Sequence, residues 1–442
     1  MPGPERTQAA AAVQTAGEEP GLMAQVEDAV AGHERGTPGY RRLGAALWCA
    51  GLAMFLLIYC VQALLPMLSA QFKVSSSTSS LALSATTLGL AVAVVPLATV
   101  AEGWGRVRMM TLSLATSAVL GLLAPLAPNF AVLLGIRALE GVALAAMPAL
   151  AMSHVTREVA HRWLGGAIGM LIAGYSLGTL CGRLIAGTVA DFGGWRLALA
   201  AIGALSLLCT VAFRLLLPPA LTPTPPRTQL RDIGGPLRAH LADPGLACLF
   251  AIGFLLLGTF VSVYSFLGFR LTAPPFALPV ALSGLIFLAN LAGGWGSSTA
   301  GRLADRLGQR PVLIITALVA VAGMWVTAPT WLPSVVIGLL LVTIGFFGGH
   351  SVASGWVGRR ASLLPGGSPA LASSLYVCAY YLGSSVCGPL GGIAYDQWGW
   401  PGIVAFDTVL LVGVIALSLL LRRIPAPAPA TTHSLTSHHP RP

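Results

Sequence analysis

Apolar residues in this chain come in long, nearly unbroken runs separated by short polar stretches that carry most of the arginines. A helix needs about 20 mainly apolar residues to cross a bilayer. Twelve windows meet that test, at 43–69, 78–100, 108–128, 131–153, 164–189, 195–217, 245–269, 279–300, 311–328, 332–357, 370–394 and 401–421. The runs lack the polar and apolar alternation of a membrane barrel, so the expected class is all-α, with the lipid bilayer as solvent. The hydrophobic content of 55% points the same way, being more than a soluble chain of 442 residues buries.

Charge placement sets the expected orientation. With the N-terminus in the cytoplasm, 20 of the 25 Lys and Arg fall in inner loops and tails, and only Lys73, Arg196 and Arg270 fall outside. That asymmetry is the positive-inside pattern. The net charge of +10 then reports topology, and because the basic residues are scattered singly, no nucleic-acid partner is expected. Segments 1–42 and 422–442 read as disordered cytoplasmic tails. Segments 43–217 and 244–421 read as two six-helix bundles, joined by a cytoplasmic linker at 218–243. The seven cysteines lie in apolar windows without metal-type spacing and read as small buried hydrophobes. No metal and no cofactor is expected.

The two halves resemble each other. At an offset of 205, YSLGTLCGRLIAGTVADFGGW lies over YYLGSSVCGPLGGIAYDQWGW, which places Asp191 over Asp396 and Trp195 over Trp400. At an offset of 203, ATVAEGWGRVR lies under GRLADRLGQRP, which places Glu102 under Asp305 and Gly105 under Gly308. Tandem halves of equal topology suit an alternating-access carrier. An ATP-driven pump or membrane enzyme is disfavoured, since the single lysine, Lys73, has no glycine-rich loop before it and no hydrolase motif is present.

GRLADRLGQR resembles the loop signature of the major facilitator superfamily, and the resemblance extends over about 43–421. It implies a fold of twelve helices in two pseudo-symmetric bundles and a small-molecule carrier working as a monomer. It also implies a conformational latch of Gly301, Asp305, Arg306, Gly308 and Arg310, weaker in the first half, where Glu102, Gly105 and Arg106 stand. YCVQALLP and GHSVASGWVGRRA resemble efflux permeases of the arabinose-efflux and acriflavine-resistance type. GTLCGRLIAG is similar to the antiporter motif, with Arg183 where proline is usual, which implies proton-coupled efflux, with uptake or exchange of an anionic or polar solute as the alternative.

Ionisable residues inside a membrane mark pathways by default, because each costs at least about 2.5 kcal/mol there. Arg137, Glu140, Arg183 and Asp407 qualify, with His350 and Gln62 as further substrate or proton candidates. Arg137 and Glu140 are three residues apart on one helix face and can pair. Counting depth from the outer helix ends puts Arg183 at the same level, so one electropositive site of all three is expected. The resemblance associates an arginine at position 137 with proton coupling. Gly174, Gly178, Gly182 and Gly187, with Gly383 and Gly388 in the second half, read as surfaces for close helix packing.

Overall fold

The computed structural model describes residues 32–102, 104–221, 234–365 and 367–425. Those residues are almost entirely helical. In chain order the first half contains α1 (Pro38–Phe72), α2 (Ser76–Glu102), α3 (Arg106–Leu123), α4 (Phe130–Leu144), α5 (Met147–Glu158) and α6 (Leu164–Leu216). After α7 (Gly234–Ala242) come α8 (Pro244–Thr272), α9 (Val280–Leu285), α10 (Ala292–Leu307), α11 (Gln309–Val326), α12 (Leu332–Ser362), α13 (Pro369–Trp398) and α14 (Trp400–Leu420).

Among the described residues, ten helical stretches are long and apolar enough to cross a membrane, against twelve windows expected. Two local causes account for the difference. The windows at 164–189 and 195–217 are merged in one stretch, His161–Leu216, of 56 residues. At 1.5 Å per residue a straight helix of that length would far exceed a bilayer, so it must fold back. The fold is at Gly194, whose φ of 73° and ψ of 178° are not helical. On either side of it, Gly178 lies against the Leu52 carbonyl and Ser206 donates to the Ala53 carbonyl, so both limbs run along α1. The window at 279–300 is broken instead. A 3-10 stretch, Ile286–Leu291, separates α9 from α10, where AGGWGSSTAGRLADRL supplies too many Gly, Ser and charged residues for a long apolar helix.

The internal repeat is visible in the backbone. Gly105 (φ 95°) and Gly308 (φ 86°) each stand before a helix, α3 and α11, and Gly194 (φ 73°) and Gly399 (φ 61°) each stand before a tryptophan. Those positive φ values strain any residue with a Cβ, so the sequence spends a glycine at the same place in both halves.

Helix α1 starts at Pro38, with Thr37 as its N-cap, inside the segment expected to be a tail. Just before it, the His33 N–H donates to the Glu158 carbonyl at 2.7 Å, and Glu34 pairs with Arg162 at 2.6 Å. The linker likewise contains a helix, α7, and Asp243 just after it is the N-cap of α8. Most of the tails, at 1–31 and 426–442, and the linker stretch 222–233 lie outside the described residues.

The halves meet along a seam in which α2 packs on α13, α1 on α8 and α6 on α9. The bonded contacts cluster toward the Phe72 end of α1. Gln62 Nε2 donates to Ser265 Oγ at 3.1 Å, the Thr87 and Ser385 hydroxyls lie 2.8 Å apart, and the Ser77 N–H donates to Asp396 at 3.1 Å.

Candidate functional site

Arg183 stands at that seam. Glycines at 174, 178 and 182 bring its helix onto α1: a Cβ on Gly182 would lie 2.9 Å from the Leu56 carbonyl, and one on Gly178 would lie 2.6 Å from that of Leu52. Contact this close carries Arg183 beside the Gln62 side chain. Its Nε and Nη2 both donate to Gln62 Oε1, at 2.8 and 2.5 Å. Three rings surround the guanidinium, with centroids at 5.0 Å for Tyr59, 5.1 Å for Tyr264 and 4.7 Å for Phe287. Tyr59 belongs to the first half and the other two to the second. The Arg183 side chain is fully buried, and its Nη1 meets no hydrogen-bond partner.

Arg137 and Glu140 lie elsewhere. They pair at 2.5 Å inside the first bundle, where Arg137 also donates to the carbonyls of Leu57 at 2.9 Å, Ile58 at 3.1 Å and Ala82 at 3.3 Å. The arginine thus ties α4 to α1 and α2, and the structure does not bring Arg183 to this pair. Helical depth placed them at one level, but Arg137 and Arg183 approach α1 at different carbonyls and side chains. Glu140 bonds through Oε2 alone, its Oε1 meeting no partner, and a buried pair of this kind can set helix register whether or not it also moves protons.

The remaining candidates are spread through the second bundle. Asp407 is fully buried on α14 and faces Ser262 of α8, yet neither carboxyl oxygen has a partner at bonding geometry. His350 Nδ1 lies 3.0 Å from the Tyr376 hydroxyl, with the Tyr380 ring 4.7 Å away. Gly383 packs on the Phe254 backbone, and Gly388 faces Ser84 of α2 across the seam. Gly187 is buried within α6.

At the latch segment, Gly308 ends α10, Asp305 and Arg306 are exposed, and Gly301 is half-buried. Arg310 extends over the Trp356 ring, 5.7 Å from its centroid. In the first half Gly105 precedes α3 and Arg106 is buried, 4.0 Å from Glu158. The Glu102 side chain lies outside the described residues.

The comparisons with known proteins agree with this architecture. The sequence profile of the Major Facilitator Superfamily matches residues 47–357 and 282–440. The chain belongs to the major facilitator superfamily. This facilitator is 39% identical over 389 residues to the MFS-type transporter YybF of Bacillus subtilis, covering 88% of this chain and 95% of the relative. It is 38% identical over 390 residues to the inner membrane transport protein YnfM of Escherichia coli, covering 88% and 93%. Among solved structures, a bacterial homologue of the human lysosomal transporter Spinster, inward-facing and occupied, superposes with a TM-score of 0.71 at 17% identity, covering 88% of this chain and 98% of that one. The facilitator is therefore a secondary transporter and a multi-pass membrane protein with bacterial relatives.

Sequence reasoning passed over several residues of this facilitator that the structure brings forward. Glu158 gathers three segments: it pairs with Arg106, accepts from the Leu221 N–H at 2.6 Å, and its carbonyl holds His33. Asp243 and Arg360 form a second buried pair at the start of α8. The D-P-G run was a readable N-cap signal for Asp243. Nothing in linear spacing marked the rings around Arg183.

Proposed function

We propose that this facilitator is a proton-coupled antiporter of the efflux-permease type, which exports a small molecule by alternating access between its two bundles. The asymmetry of the seam carries this reading. At the Phe72 end of α1 the bundles are joined by Gln62–Ser265, Thr87–Ser385 and Ser77–Asp396. At the other end Asp305 and Arg306 face solvent, as latch residues would when the latch is released. In the orientation expected from the arginines, this is the state open toward the cytoplasm. Charge pairs at an exposed helix end are worth about 0–1 kcal/mol each, so they bias two states without fixing either.

Two further features support the direction and the coupling. GTLCGRLIAG, similar to the antiporter motif, lies along α1 at the seam. Asp407 is a buried carboxyl facing no cation, whereas Glu140 is committed to Arg137. An intramembrane carboxyl with no paired cation is the kind of group a proton pathway uses, which makes Asp407 the stronger candidate of the two.

Respiring everted vesicles test the proposal. Addition of a transported compound should release trapped protons, seen as recovery of quenched acridine fluorescence, in vesicles with the wild-type chain and not in those with Asp407→Asn. Equal recovery in the two, across a panel of small organic anions, cations and neutral compounds, would remove Asp407 from the mechanism. Export that persists unchanged after the proton gradient is collapsed would remove proton coupling.

A further inference from the structure

Arg183 is a positive charge without a counter-charge. Among the described residues no carboxylate lies within 4.0 Å of it: Glu140 is paired with Arg137, and Asp407 lies beside Ser262. Gln62 positions the guanidinium but cannot neutralise it, and the direction of its amide is fixed, with Oε1 toward Arg183 and Nε2 toward Ser265. The three rings offset only part of the desolvation of a buried, unpaired ion. What the site lacks is one negative charge.

We infer that the seam at Arg183 is the substrate site and that it takes organic monoanions with a flat or apolar body, a carboxylate end being the simplest case. The inference rests on the transport reading above and specifies its cargo. The charge count follows from the cage: one guanidinium balances one negative charge, and a dianion would leave the excess buried. The binding edge follows from the hydrogen bonds, because Nε and one N–H of Nη2 are occupied by Gln62, which leaves the Nη1 end of the guanidinium to donate. The body follows from the walls, since Tyr59, Tyr264 and Phe287 present ring faces, with the Phe260 ring tilted against Tyr264 at 4.6 Å between centroids. Because Tyr264 and Phe287 belong to the second half, opening of the seam strips two of the three rings from Arg183 and leaves it on α6 with Gln62. The anion can enter while the seam is open and is needed most when closure buries the guanidinium.

Purified full-length protein in detergent, followed by its tryptophan fluorescence on heating, supplies the test, with benzoate and hexanoate as monoanions, benzamide as the uncharged match and phthalate as the dianion. Benzoate or hexanoate should raise the melting temperature, with an apparent affinity at least about tenfold above that of benzamide or phthalate. Arg183→Gln, which keeps a donor for Gln62, should lose that shift, and its ligand-free melting temperature should equal or exceed that of the wild type. The inference is overturned if benzamide stabilises as well as benzoate, if neither monoanion gives a shift, or if the shift survives in Arg183→Gln. Should that variant fail to fold, the comparison of benzoate with benzamide on the wild type decides alone. Counterflow of labelled benzoate in proteoliposomes separates this inference from the transport reading. Arg183-dependent binding without flux would sink transport and spare the site, while flux of other compounds that benzoate does not inhibit would sink the site and spare transport.

Discussion

Asp243 and Arg360 share a two-pronged ion pair, Nε to Oδ1 at 2.6 Å and Nη2 to Oδ2 at 2.9 Å, which fastens the start of α8 to the last turn of α12. Oδ1 also caps α8 through the Leu246 N–H at 2.7 Å. Burial alone would push the Asp243 carboxyl up, but the Arg360 guanidinium and the capping N–H outweigh it and hold the group below its ordinary range. Removing one partner of such a pair strands the other. Arg360→Ala should cost about 3–5 kcal/mol of stability, measured as a lowered melting temperature in detergent, and an unchanged melting temperature would make the pair ornamental.

His240, one helix turn before Asp243, gives a pH signature. Its Nε2 accepts from the Ser368 N–H at 3.2 Å, which requires the neutral ring, and burial holds its basicity below the ordinary histidine value. The unfolded chain takes up a proton near pH 6.5 while the folded chain does not. This contribution to stability is therefore complete above about pH 6.5 and is lost as the pH falls below it. His240→Gln should flatten the fall in melting temperature between about pH 7.5 and pH 5.5. A variant with the same slope as the wild type would place the acid sensitivity elsewhere.

Glu140→Gln separates a register device from a proton carrier. The substitution leaves Arg137 buried with three carbonyls and no anion, so stability should fall by about 3–5 kcal/mol. Arg137→Met with Glu140→Leu should recover much of it, because an apolar pair of similar volume is often neutral or better. Proton release on adding substrate should survive in the double variant; its loss would return the coupling role to Glu140.

Asp305 is exposed, so Asp305→Asn should leave the melting temperature unchanged. If it closes the latch in the opposite state, turnover should slow up to about fivefold, the equivalent of about 1 kcal/mol. A double variant with Arg306→Gln should add little, since both act on one contact. Normal turnover would reduce the segment to a signal for topology.

Much of this fold was legible because its cues are local. Apolar runs gave the helices, and the offsets of 203 and 205 gave the repeat that the glycines at 105, 308, 194 and 399 then displayed as backbone angles. The break within 279–300 was not legible because a hydropathy window averages over the apolar 3-10 stretch and the glycine- and serine-rich helix that follows it. At the site, single charges in apolar runs stood out, so Arg137, Glu140, Arg183 and Asp407 were found one by one. Their grouping was not. Depth along a helix fixes one coordinate and leaves rotation free, and rotation sends Arg183 to Gln62 and Arg137 to the carbonyls of Leu57 and Ile58. The aromatic cage is assembled from three separated segments, and Tyr and Phe in an apolar run look like ordinary packing.

The reversal at Gly194 has a mechanical consequence. A loop would absorb relative movement between the two limbs of α6 as slack, but an elbow one residue long has none to give. Rotation of the limb bearing Arg183 is passed to the limb bearing Ser206, so the guanidinium rides on a hairpin of two limbs rather than on a single rod. The elbow at Gly399 does the same for α13 and α14, so Ser385 at the seam and Asp407 beyond it turn as parts of one crank.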